Sequence, residues 1–135
     1  MDLEIGQTAH REMTVSAETV RAYAELTGDY NPLHFDADFA GQTRFGRLIA
    51  QGGITTGLLH ALVAMDMPGP GSVFLGQNWS FPRPVYLNDT IRAEATVTAV
   101  QSRRGIAKLD VEVKTLEGET VLRGEATVLK VEVTE

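Results

Sequence analysis

The sequence predicts an α+β fold in which one long apolar helix is set against an antiparallel β-sheet. Three observations predict it. A segment near residues 52–65 is apolar on nearly every side of a helix. Residues 71–133 alternate apolar and polar side chains, strand after strand. Turn residues fall between those strands at hairpin spacing. The chain of 135 residues fits one domain, 1–135, without internal repeats or a linker.

Taken in order, Thr8–Val15 reads as a strand after the turn-forming Gly6. Ser16 then suits an N-cap, with Glu18 in the first turn where the helix dipole favours an acid. Val20, Tyr23, Ala24 and Leu26 form the apolar stripe of that first helix, and Gly28 ends it as a C′ residue. Pro32 biases Asn31 towards extended backbone, so Asp29–His34 is expected as loop. A short helical turn follows from Asp36, with Phe39 and Ala40 inward.

The second helix starts near Gly52-Gly53 and runs to about Met65. Ile54, Leu58, Leu59, Ala61, Leu62, Val63, Ala64 and Met65 leave only Thr55, Thr56 and His60 to break its apolar surface. Such a helix is expected to be buried on all sides. Met67-Pro68-Gly69-Pro70-Gly71 terminates it.

In the β region, Ile91, Ala93, Ala95, Val97 and Ala99 share one face of a strand. Ala107, Leu109, Val111 and Val113 do the same on the next, and Leu122, Gly124, Ala126 and Val128 on the last. Turns at Asn88-Asp89, Arg104-Gly105 and Glu117-Gly118 make neighbours antiparallel. Each strand then has a dry and a wet face. The sheet's dry face needs a cover and the apolar helix needs covering. A hot-dog arrangement, a sheet wrapped around a central helix, is the simplest packing that meets both needs.

Composition narrows the function classes. With no cysteine there are no disulfides, thiolate zinc sites or cysteine nucleophiles. A formal charge of −6 argues against a general binder of nucleic acid or anionic membrane, each of which calls for a cationic face. No apolar run approaches the ~20 residues of a membrane helix. The acidic start Met1-Asp2-Leu3-Glu4 lacks a signal pattern, so a cytoplasmic location is expected. His10, His34 and His60 lack zinc spacing, and no metal is expected. Gly69-Pro70-Gly71 is no dinucleotide fingerprint. Asp29-Tyr30-Asn31 opens like a calcium loop but has His34 and Ala40 where glycine and glutamate belong. No Gly-x-Ser-x-Gly elbow exists.

The chemistry concentrates in residues 23–40. Asp29 and His34 are five apart, and on a continuous helix they would diverge by about 140°. Gly28 and Pro32 break that geometry, so a curled loop can bring a carboxylate beside an imidazole, a usable acid/base pair near neutral pH. The plainer alternative is turn chemistry, because Asp and Asn side chains readily bond their own backbone.

Thr27-Gly28-Asp29-x-Asn31-Pro32-Leu33-His34, followed by Ala40, resembles the signature of (R)-specific enoyl-CoA hydratases of the MaoC-like hot-dog family. Arg47–Gly53 and Gly71–Gln77 extend that resemblance over nearly the whole chain. The resemblance implies that Asp29 and His34 activate a water that adds to C3 of a trans-2-enoyl thioester. The backbone N–H of Gly52 would stabilise the enolate-like oxygen, with the helix dipole behind it. Asn31 would shape the loop or orient substrate.

Many relatives carry histidine where this chain has Gln51, whose amide can donate a hydrogen bond but cannot titrate. That puts any role of residue 51, beyond loop shaping or substrate orientation, in doubt. His60 is read as a core or interface residue. Trp79 and Phe81 alternate on one strand and are read as packing. Arg83, Arg103, Arg104 and Lys108 are candidates for the phosphates of coenzyme A, which would be substrate and not cofactor; no cofactor is implied. Single-hot-dog relatives pair as homodimers, and a homodimer is expected. The rival readings are an acyl-carrier-protein dehydratase or a thioesterase on the same scaffold, and a non-catalytic acyl-thioester-binding module.

Overall fold

The structure, a computed structural model, describes residues 1–132. The chain runs β1 (Thr8–Thr14), α1 (Ala17–Thr27), α2 (Pro32–Phe35), α3 (Ala37–Gly41), α4 (Gly52–Met65), β2 (Ser72–Ser80), β3 (Thr90–Gln101), β4 (Ile106–Thr115) and β5 (Thr120–Lys130). All five strands form one antiparallel sheet in the order β1-β3-β4-β5-β2. The sequence places the end of its β region at residue 133, outside the described residues.

The alternation read from the sequence sets the sheet's dry face. Ile91, Ala93, Ala95, Val97, Leu109, Val113, Leu122, Ala126 and Val128 are buried in one cluster with Leu58, Leu59, Leu62 and Val63 of α4. The pattern slips once on β3, where an irregularity between Val97 and Ala99 leaves Ala99 only half-buried. The result is an α+β hot-dog fold, with α4 seated on the sheet.

Local signals explain the first helix. Ser16 Oγ accepts from the Thr19 amide at 3.2 Å, and Gly28 closes α1 at φ 84°, where a side chain would be strained. Val20 and Ala24 are buried, but Leu26 is 83% exposed and does not belong to the stripe.

Further expectations need correction. The turn at Asn88-Asp89 makes no hairpin: β2 crosses to the far edge and pairs with β5, while β3 pairs with β1 and β4, because the 81–89 segment is long enough to carry the chain across the sheet. Residues 32–35 form the short helix α2 and not loop: Asn31 is extended as its following proline requires, and its Oδ1 accepts from the Leu33 amide at 3.1 Å, so Pro32 occupies the first turn it favours. On α3, Ala40 is buried but Phe39 faces outward. β2 ends at Ser80, so Phe81 lies beyond the strand that carries Trp79. Finally, α4 is buried on one side only. Gly57 and His60 are exposed and Ala61 and Ala64 half-buried, because the sheet covers one face and the described residues leave much of the other open, Tyr23 of α1 reaching its Gly53 end. Among the described residues no helix is long and apolar enough to cross a membrane.

Candidate active site

The loop between α1 and α2 is held by its own side chains. Thr27 Oγ1 donates to the Tyr23 carbonyl at 2.8 Å and accepts from the Asp29 amide at 3.2 Å. Asp29 Oδ1 accepts from the Asn31 amide at 3.3 Å, and Asn31 caps α2. The turn chemistry anticipated as an alternative is therefore present, and it aims the carboxylate as well as closing the loop. Asn31 shapes this loop through its cap.

His34 is placed by the turn of α2. Its Nδ1 lies 2.7 Å from the Ile49 carbonyl oxygen, and the ring is buried. A carbonyl only accepts, so Nδ1 carries the hydrogen and the neutral ring presents a lone pair at Nε2. That Nε2 lies 3.8 Å from Asp29 Oδ1. The separation is too long for a direct hydrogen bond, yet a water oxygen about 2.8 Å from each atom fits between them. Asp29 is 41% exposed in its side chain and His34 8%, so one member of the pair meets solvent.

Segment 49–52 connects this pair to α4. The Ile49 amide donates to Leu33 at 3.1 Å, and the Ala50 amide to Val85 at 2.7 Å. Gln51 is the N-cap of the 14-residue helix α4 yet makes no side-chain cap; its carbonyl accepts from the Ile54 amide at 3.1 Å, and among the described residues the Gly52 and Gly53 amides have no acceptor. Gln51 instead points inward, its Nε2 donating to Val20 O at 3.1 Å and Asp29 O at 3.4 Å. Gly52 thus opens α4 close behind the segment that holds His34. A fixed, uncapped helix N-terminus favours developing negative charge.

The remaining candidates separate. Arg83 lines a cleft of about 230 Å³ with Gly52 and Thr55. Phe81 packs over Gly52 in the wall of that cleft, a position its reading as a strand residue missed. Arg44, which the motif reading passed over, lines the same cleft from the 42–51 loop. Arg103 and Arg104 sit in the β3–β4 turn, whose Gly105 packs on Lys130, and Lys130 reaches Pro68 beyond the C-terminus of α4. A helix of 14 residues is about 21 Å long, so that turn lies at the far pole from Gly52. Lys108 stands on the wet side of β4 and is exposed. His60 lies 2.8 Å from Gln77 across the α4–β2 surface, and Trp79 packs edge-on against Phe74.

A hot-dog sheet thus carries a carboxylate–imidazole pair and a helix N-terminus without a side-chain cap in one chain. The chain belongs to the MaoC-like domain family, whose model matches residues 3–119. It is 40% identical over 126 residues to the (R)-specific enoyl-CoA hydratase of Aeromonas caviae, covering 93% of this chain and 94% of that protein. It is 38% identical over 127 residues to the 3-hydroxybutyryl-CoA dehydratase of Methylorubrum extorquens, covering 94% and 80%. The solved structure of the A. caviae (R)-hydratase superposes with a TM-score of 0.91 at 39% identity, covering 96% of this chain and 98% of that one. R-hydratase PhaJ1 from Pseudomonas aeruginosa gives 0.89 at 33% identity, covering 99% and 90%.

Proposed function

We propose that the protein is an (R)-specific enoyl-CoA hydratase, adding water reversibly to trans-2-enoyl-CoA to give (R)-3-hydroxyacyl-CoA. The observation that carries this reading is the Asp29–His34 pair, 3.8 Å apart, close to the uncapped start of α4. The 40% identity to a protein of that name supports it.

In this mechanism a water bridges Asp29 and the free Nε2 of His34. The pair takes a proton from the water as its oxygen bonds to C3. The electron pair of the double bond moves towards the thioester carbonyl, and the Gly52 amide donates to the oxygen that gains charge. The pair then returns a proton to C2 on the face that the water attacked. Water's hydroxyl and hydrogen thus end on adjacent carbons by syn addition, with no electron transfer and no cofactor. Asn31 keeps the loop curled, and Gln51 holds its backbone.

The test is hydration of crotonyl-CoA, followed by loss of the enoyl absorbance and by the configuration of the product. Asp29→Asn and His34→Ala are each expected to lower kcat/KM by about 10³ or more with the melting temperature retained. Full activity in either variant, or an (S) product, overturns the mechanism. Release of free thiol in place of hydration points to a thioesterase. Binding without turnover points to a non-catalytic module. A carrier-protein dehydratase is the second reading, because the chain is also 33% identical to a tomato (Solanum lycopersicum) mitochondrial 3-hydroxyacyl-[acyl-carrier-protein] dehydratase. The working unit in this proposal is a cytoplasmic homodimer.

A further inference from the structure

Residues 39–88 carry three arginines and a single acid, in a chain whose formal charge is −6. The acid, Asp66, caps the far end of α4 and is bound to Arg11 at 3.0 Å. The arginines, Arg44, Arg47 and Arg83, lie on two loops joined near the start of α4. Tyr86 makes that join: its hydroxyl donates to the Phe45 carbonyl at 2.9 Å, and its backbone bridges to Ile49. Arg47 is engaged there, its guanidinium 3.7 Å above the Tyr86 ring. Arg44 and Arg83 are both exposed, and neither pairs with a carboxylate among the described residues.

These two side chains line the cleft beside Gly52 from opposite loops. Its walls include Phe45, Phe81, Val85 and Val121, and among the described residues no acid lines it. At about 230 Å³ it falls below the roughly 300–1,000 Å³ of sites that enclose a whole drug-sized molecule, and suits a slender chain. Arg44 also lies over the Phe45 ring, at 5.4 Å against 3.7 Å for Arg47, a looser contact that leaves its N–H edge available. Apolar walls with two guanidinium forks that no carboxylate holds match an anion carried on a thin arm. Arginine's planar donors fit phosphate oxygens in particular.

We propose that Arg44 and Arg83 together bind the phosphate that ends the pantetheine arm of the thioester substrate, with the arm lying in the cleft between that phosphate and Gly52. The proposal rests on the hydratase reading and deepens it. Coenzyme A and acyl-carrier proteins both present this phosphopantetheine phosphate, so the site accounts for how an acidic chain takes an anionic substrate of either kind. The local field, and not the net charge, then governs capture.

The experiment compares crotonyl-pantetheine, crotonyl-4′-phosphopantetheine and crotonyl-CoA on the wild type and on Arg44→Ala, Arg83→Ala and the double variant. The quantity read is the ratio of kcat/KM for the phosphorylated over the unphosphorylated arm. A charge-assisted contact is worth about tenfold, so the wild-type ratio is expected at about ten or above. In the double variant it is expected to fall towards one, mostly through KM. Arg83→Lys restores part of it, and high salt reduces it. A ratio unchanged in the double variant overturns the proposal. So does arginine dependence that emerges only with crotonyl-CoA, which would assign the guanidiniums to the nucleotide's phosphates. Failure of the wild type to hydrate any of the three sinks the hydratase reading instead. Calorimetric binding of 4′-phosphopantetheine against pantetheine then decides this site: an arginine-dependent preference upholds it and equal binding overturns it.

Discussion

At Gln51 the side-chain amide is 2% exposed, with Nε2 directed at the carbonyls of Val20 and Asp29 and Oε1 buried without a partner. Flipping the amide would turn its oxygen towards two carbonyl oxygens, so the orientation is forced. The –NH2 group has two hydrogens and can serve both carbonyls at once, whereas one imidazole nitrogen could serve a single acceptor. Gln51 therefore ties α1 to the backbone of Asp29, and its effect on chemistry passes through that carboxylate. Replacing it by glutamate sets a buried carboxylate against the same two oxygens. Gln51→Glu is expected to cost about 3 kcal/mol or more in urea denaturation. Gln51→His is expected to cost less. An unchanged denaturation midpoint in Gln51→Glu would show that the amide is not the tie described.

The elements show how much could be read from the chain and why the rest could not. Strand alternation reported the sheet's dry face, and the turns at Arg104-Gly105 and Glu117-Gly118 its two hairpins, but the turn at Asn88-Asp89 joins strands that are not neighbours. The spacing of Asp29 and His34 leaves turn chemistry and an acid/base pair both open, and the resemblance carried by Asp29-x-Asn31-Pro32-x-His34 is what singles the pair out. The helical turn at Pro32 was missed because proline acts in two directions. It extends the residue before it and also opens a helix from its own position. The cleft was hidden for a different reason: Arg44 and Arg83 are far apart in sequence, and loop residues carry no periodicity to report their approach. The apolar surface of α4 was over-read because periodicity does not distinguish a core face from a face left open.

Two glycines on α4 test this description of the helix. A Cβ at Gly53 would collide with the hydroxyl and ring of Tyr23, whereas one at Gly57 would meet nothing within 4 Å among the described residues. Gly53→Ala must displace the Tyr23 ring and is expected to destabilise by about 1 kcal/mol. Gly57→Ala gains helix propensity and is expected to stabilise an isolated subunit by roughly 0.5–1 kcal/mol. Equal stability of Gly53→Ala and the wild type would contradict fixed packing of the Tyr23 ring on Gly53.

At the scale of the molecule, the two sheet edges differ in a way that argues for a second copy of the chain. The β1 edge carries His10, Arg11 and Glu12, charge-bearing residues of the kind that discourage pairing. The β2 edge, Ser72–Ser80, has no charged residue and no proline, and Val73 and Leu75 are half exposed. Its surface continues onto the open face of α4, where the His60 ring lies 4.2 Å from Phe74 and bonds to Gln77. An uncharged edge beside an uncovered helix face is a liability in a lone subunit and a ready interface in a pair. Antiparallel pairing of two β2 strands would extend the sheet across both chains and cover the small residues of α4. Lysines at this edge should then separate the subunits. Val73→Lys combined with Leu75→Lys is expected to sediment as a monomer where the wild type sediments as a dimer. The wild-type melting temperature is expected to rise with protein concentration, and that of the double variant to stay constant. A wild type that sediments as a monomer, or a double variant that remains a dimer, would remove β2 as the interface. The uncovered face of α4 would then need a different partner.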